Sequence, residues 1–413
     1  MLAGGMALVR ILLARRSGSA SRLTLGELGS RNAARRPGRG MATAGMLACG
    51  CFIVFSVSAF KEDLSLHAGA RRSGTGGFGL YGESSLSIHQ DLNGAKERQA
   101  LFLTDEALMS GVAFVPLRVR EGDDASCLNL NASAAPPLLG VDPSSLGRRG
   151  AFAPADLWSL LDEERADGAV PALVGDAATA VWKLRKSVGR ESGDVIEYRD
   201  ERGAPFKVKL VGALPDRLTV LQGRLIISNH HFTRLFPSEG GDRVFLVDLP
   251  PGKVDRVRAY LGEKLAGAGL EVVPPVDRLK EFYAVESAYL TLFLALGGLG
   301  LLLGSAGMGV LVLRHVLERR AELALLRAVG YTERQAGSVV MAEHRFLLVA
   351  GLATGVAAAA LAVAPAVARP EVHLPYGLLA AFLVGTAVLS VAWIRLAASF
   401  ALRSPLIGAL RNE

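Results

Sequence analysis

Four places in this sequence bring together residue types that could do chemistry. "EGDDASCLNLN" (121–131) sets acids beside Ser126 and Cys127. A nucleophile there would need a base within hydrogen-bond reach and, in many hydrolases, a G-x-S-x-G turn to expose it. Neither accompanies Ser126. "GTGGFGLYG" (74–82) matches G-x-G-x-x-G twice, through Gly74, Gly76 and Gly79 and through Gly77, Gly79 and Gly82. A dinucleotide site needs a strand before the glycines and a helix after them. Here a strand-like run follows, so the segment reads as a flexible turn. His230 and His231 are adjacent, point apart on any regular element, and read as a loop or a helix start after Asn229. No catalytic residue, metal ligand or cofactor is expected from these three. The fourth place, "RHVLERRAELALLRAVGYTERQ" from Arg314 to Gln335, is a dense set of charges between two long apolar stretches.

The elements that position that segment follow from composition. Half of the 413 residues are hydrophobic. A bilayer core needs about 20 consecutive apolar residues in a helix, and four stretches qualify: 41–60, 284–313, 346–368 and 376–400. The expected fold class is therefore an α-helical membrane protein with four transmembrane helices, plus a mixed α/β extracytoplasmic domain between the first and second. Seven arginines and one acid lie between Arg15 and Arg39, next to the first stretch. The positive-inside rule puts such a cluster in the cytoplasm. A nucleic-acid patch would need aromatic stacking residues that are missing here. Alternation then makes 1–40 a cytoplasmic or interfacial segment, 61–283 external, 314–345 cytoplasmic, 369–375 an external turn and 401–413 a cytoplasmic tail, with both termini inside. The opening 14 residues include Arg10 and are short for a span; they read as interfacial, or as the remnant of a preceding span.

Within 61–283, alternating or β-branched runs predict strands at "FGLYGESSLSI", "VAFVPLRVR", "DVIEYRD", "FKVKLVGAL", "LTVLQGRLIIS" and "RVFLVDL". "APADLWSLLDEER" and "KVDRVRAYLGEKLAGAG" predict helices, and "PVDRLKEFYAVESAYL" predicts a helix running unbroken into the second span. Cys49 and Cys51 fall inside the first span and Cys127 outside it, which supplies neither a disulfide framework nor zinc spacing. Asn131–Ser133 forms a glycosylation sequon.

Read as a helix, the charged segment places Leu317, Ala321, Ala324, Leu325 and Ala328 on one stripe and Glu318 and Glu322 on another face. Gly330 ends it, and Thr332 with Gln335 opens the next helix as a capping box. The segment is either a membrane-surface helix or a docking surface, with Leu325 inserting and Glu318, Arg319, Arg320, Glu322 and Arg327 at the rim. In the spans, Gly300 with Gly304 and Gly351 with Gly355 are small-xxx-small pairs that allow close helix approach, within one chain or between copies.

"LERRAELALLRAVGYTERQ" (317–335), the lead-in "LGELGSRNAARRPGRGMATAGML" and the ending "RSPLIGALRNE" resemble the FtsX-like permease family of ABC transporters, of the MacB and lipoprotein-release type. The order of one span, a large external domain and three further spans is similar too. The resemblance runs from about Leu23 onward and leaves room for a counterpart of the C-terminal half of a double-length permease. It implies a non-enzymatic subunit in the inner membrane, a separate cytoplasmic ABC ATPase seated on 314–345, and a homodimer or a heterodimer with a second permease. It also implies mechanical transmission to the external domain, for export or for lipoprotein or lipid release. The chain has no P-loop of its own. The rival reading is a membrane-bound sensor with an external ligand-binding domain, but the cytoplasmic parts are short arms without an output domain. A membrane-anchored hydrolase lacks a catalytic constellation.

Overall fold

Pro37–Phe60 form an uninterrupted helix in which proline stands at the first turn, where its missing N–H costs nothing. The computed structural model describes residues 37–60, 68–123, 125, 135–176, 179–216, 218–319, 322, 324, 325, 328–367 and 375–403, with positions 4 and 7 besides. The arginines from Arg15 to Arg36, Ser126, Cys127, the sequon at 131–133, Ala321, Arg320, Arg327, the turn at 369–374 and the tail from 404 lie outside the described residues. The chain divides into two units, Asp63–Val285 and the remainder.

In the unit that holds the apolar helices, Pro37–Phe60 is followed by Pro275–Glu318, Glu333–Val367 and Tyr376–Arg403. All four are long and apolar enough to cross a membrane. The second outruns the apolar stretch 284–313 at both ends, because a helix backbone continues through polar residues until a breaker stops it. Their shared core draws on every helix, with Leu47, Cys51 and Val54 from the first, Met308 and Val312 from the second, Leu347 and Leu348 from the third and Ile394 from the fourth.

The unit between the first and second helices is a mixed sheet. Its strands are β1 (Leu80–Ile88), β2 (Ala113–Arg120), β3 (Leu138–Val141), β4 (Val170–Val174), β5 (Val195–Arg199), β6 (Pro205–Ala213), β7 (Leu225–Ser228), β8 (Asp242–Asp248) and β9 (Glu271–Val273). Their order is β5-β6-β4-β7-β3-β2-β8-β1-β9. Strand β2 joins two halves: Ala113–Leu117 pair with β8, and Arg118–Arg120 pair with β3. Each half has its own apolar core. Leu80, Phe114, Phe245 and Val247 pack with Val257 and Leu261 of helix Val254–Lys264 on one side. Val170, Val208, Ile227, Phe232 and Phe236 fill the other.

Three strands escape the alternation rule. β3 and β4 are buried at every position, so their residues do not alternate, and β9 is only three residues long. Conversely, of "LTVLQGRLIIS" only Leu225–Ser228 is strand; the part before it turns at Gly223, where φ is +75°. The glycine run at 74–82 is packed rather than flexible. Thr75 is buried, a Cβ on Gly76 would meet the Phe152 ring at 2.6 Å, and Val220 N–H donates to the Gly74 carbonyl at 2.9 Å.

Candidate functional site

The charged segment begins as the last turns of the second apolar helix. Arg314 Nε donates to Glu318 at 2.7 Å and Arg319 Nε donates to Glu322 at 2.8 Å, pairs that spacing along a helix brings together. Exposed pairs of this kind contribute little each. Past Glu318 the described residues Glu322, Ala324, Leu325 and Ala328 are helical, and Gly330 closes the segment with φ +103°. That left-handed conformation suits glycine at a helix end. The next helix opens with a reciprocal cap: Thr332 N–H donates to Gln335 Oε1 at 2.8 Å, and Gln335 N–H donates to Thr332 Oγ1 at 3.3 Å.

The apolar stripe divides in the structure. Ala324 is buried, whereas Leu317 and Leu325 are exposed, Leu325 by 63%. Val329 and Tyr331 are also exposed, so Leu325, Val329 and Tyr331 make an apolar tip around the Gly330 turn. Glu318 and Glu322 are engaged by Arg314 and Arg319; Arg320 and Arg327 lie outside the described residues.

Sequence reasoning missed what lies behind the tip. Glu343 is buried at 4% exposure and His344 at 0%. Glu343 Oε2 stands 3.7 Å from Arg319 Nη1, and Oε1 stands 3.5 Å from His315 Nδ1. His344 Nδ1 lies 2.8 Å from the Val340 carbonyl, and its ring centroid is 5.4 Å from that of His315. The end of the second helix and the start of the third are thus joined by ionisable groups in a dry environment, where such groups are expensive unless paired. The signal is not local: Glu343 and His344 precede the apolar run at 346–368 and read as solvated groups until the second and third helices come together. Arg319 therefore turns toward this pair instead of standing free at a rim.

The glycines set the helix spacing. A Cβ at Gly351 would meet the Ala44 carbonyl oxygen at 2.7 Å, and one at Gly355 would meet that of Ala48 at 2.6 Å and Cys51 Cβ at 2.8 Å. One at Gly304 would touch Leu47 Cδ2 at 3.0 Å, while at Gly300 the nearest atom is Gly50 Cα at 3.8 Å. Two glycines not singled out from sequence are tighter than Gly300. A Cβ at Gly50 would meet the Leu301 nitrogen at 3.0 Å, and one at Gly297 would meet Val54 Cγ2 at 2.9 Å.

In the sheet unit, His231 lies on helix Asn229–Leu235, whose N-terminus Ser228 caps through its side chain. It is buried and paired with Arg234 at 3.2 Å. Burial first, then the charges of Arg234 and His230, hold its pKa below the ordinary imidazole value. Among the described residues no group of three or more His, Cys, Asp or Glu is placed to hold a metal ion.

Residues 294–406 match the family model described as FtsX-like permease C-terminal. The match takes in most of the second apolar helix, the charged segment and the two helices after it. No curated protein matches the chain. Permeases of this type are generally non-enzymatic transporter components that usually work with an ABC ATPase, and the four apolar helices agree with a multi-pass membrane protein. Residues 294–406 thus carry an FtsX-like permease C-terminal domain, consistent with an FtsX-like permease.

Proposed function

We propose that the chain is the permease subunit of an ABC transporter, working with a separate cytoplasmic ATPase that docks on residues 314–345. The observation that carries this reading is the FtsX-like match across 294–406, inside which Leu325, Val329 and Tyr331 stand exposed beside a charged helix. A tip with apolar side chains and neighbouring charges suits insertion into a groove on a protein partner. In this reading both termini are cytoplasmic and 61–283 is extracytoplasmic. Two permeases, identical or different, assemble together, and ATP-driven closure moves the sheet domain to export or release a lipid or lipoprotein. Arg319 acts by holding the segment against Glu343, and the contact itself falls to Leu325, Val329 and Tyr331.

The test is co-purification with a candidate cytoplasmic ABC ATPase from the same organism, followed by ATPase assays in lipid. Leu325→Asp should bury a charge in the contact and weaken association by roughly a hundredfold, the equivalent of about 3 kcal/mol. Arg327→Glu, a rim change, should mainly alter association rate and salt dependence. Reporter fusions near Gly150 should register outside the cell and those near Gly330 inside. Parental binding and coupling by Leu325→Asp, or an external signal at Gly330, would reject the reading.

A further inference from the structure

Glu83, on β1, is the meeting point of three parts of the sheet unit. Its Oε1 accepts from Arg224 Nη2 at 2.6 Å, and its Oε2 accepts from Tyr81 Oη at 2.8 Å and from Arg278 Nη2 at 3.4 Å. Arg224 Nη1 also donates to Tyr81 Oη at 3.2 Å. Arg224 immediately precedes β7, in the half of the sheet with β5, β6, β4 and β3, whereas Glu83 belongs to the half with β8 and β9. Arg278 belongs to neither. It sits in the first turns of the helix Pro275–Glu318, which continues as the second apolar helix. Its guanidinium also lies 5.6 Å from the Tyr81 ring centroid and 5.0 Å from that of Phe282.

We infer that Glu83 is a positioning residue that ties the root of the second apolar helix to both halves of the sheet, and that movement passes between helix and sheet through this carboxylate. The second clause rests on the transporter reading above; the first does not. The geometry favours a joint over ordinary packing. The halves already share β2 and each has its own apolar core, so neither needs Glu83 to fold. The carboxylate has two oxygens, and each takes a guanidinium from a different element. Charge-assisted bonds of this kind are among the stronger and more directional in proteins. With Glu83 uncharged, two cations from two elements would surround a neutral group, so the tie would be lost in both directions at once.

The experiment uses the full chain in lipid nanodiscs and hydrogen exchange read by mass spectrometry. Glu83→Gln should exchange roughly tenfold faster at the helix root, 275–285, and also at 220–228, because losing a charge-assisted bond loosens local structure by about that factor. Arg278→Gln should do the same at 220–228, which it does not touch, since the effect travels through Glu83. Glu281→Gln removes another carboxylate 3.2 Å from Arg278, but one with no bond to Arg224, and should leave 220–228 unchanged. If Glu83→Gln and Arg278→Gln match Glu281→Gln at 220–228, the joint is overturned. Should Glu83→Gln fail to fold, Arg278→Gln decides alone.

A second arm adds the partner ATPase and follows an ATP-dependent spin-label distance within the sheet domain. Glu83→Gln should keep ATP hydrolysis and lose more than half of the distance change. Full amplitude in that variant would refute transmission through Glu83. No ATP-dependent change in the parent protein would reject the transporter reading, while the exchange arm still judges the joint.

Discussion

Arg319 Nη1 lies 3.7 Å from Glu343 Oε2, which fastens the charged segment after the second apolar helix to the start of the third. The two partners differ in surroundings: the Glu343 side chain is 5% exposed and that of Arg319 33%. Glu343 is therefore the member that suffers when the pair breaks. Arg319→Ala should destabilise the chain by about 1 kcal/mol, less than the usual cost of orphaning a buried charge, because a buried carboxyl can take up a proton and Glu343 keeps His315 at 3.5 Å. Glu343→Leu with Arg319→Ala should recover most of that, because no charge then remains buried. Thermal unfolding of the variants in nanodiscs checks this, and simple additivity of the two substitutions would show that the groups are not coupled.

The glycine pairs give a sharper contrast than their identical spacing implies. Gly355→Ala should cost about 1–3 kcal/mol, because its Cβ would meet backbone and Cβ atoms of the first helix that cannot rotate away. Gly300→Ala, whose nearest neighbour is Gly50 Cα at 3.8 Å, should be close to neutral. Thermal stability or folded yield of the two variants decides the matter, and equal effects would mean that the first helix packs differently.

How much of this could be read beforehand depends on how local the signal was. Four apolar helices follow from run length alone, and the Thr332–Gln335 cap follows from residues three apart. The turn at Gly330 is equally local. Strands β3 and β4 were hidden because burial on both faces removes the period-two pattern, so Val170–Val174 looks like any short apolar run. Glu83, Arg224 and Arg278 are far apart in sequence, and nothing near any of them announces the others. The same holds for Arg319 and Glu343: each reads as a solvated charge until the second and third helices come together.

Glu83 should make stability depend on pH in a defined window. Burial works against its charge, but the Arg224 guanidinium, the Tyr81 hydroxyl and Arg278 outweigh that and hold its pKa below the ordinary glutamate value. A carboxyl that is more acidic folded than unfolded stabilises the fold above its unfolded pKa and loses that contribution as pH falls through the folded one. The parent should therefore exceed Glu83→Gln in stability at neutral pH, and the gap should close below about pH 4, under the ordinary glutamate value. Unfolding measured from pH 7 down to pH 3 tests it; a gap that stays constant would mean Glu83 contributes by shape and not by charge.

The cap at the start of the third helix should be separable from the Arg319–Glu343 tie. Thr332 and Gln335 are both exposed, and their bonds satisfy N–H groups that the helix cannot satisfy itself. Thr332→Ala removes the Oγ1 acceptor and should cost about 1 kcal/mol of local stability, a factor of roughly five in opening. Thr332→Ser keeps the oxygen and should behave nearly as the parent. Because Glu343 holds the helix about three turns further on, the loosening should stop before it. Amide exchange should quicken over 333–340 and stay unchanged from 343 onward. If Thr332→Ala instead speeds exchange through Leu347 and Leu348, which pack in the shared helix core, the cap supports the whole third helix and the ion pair does not divide it.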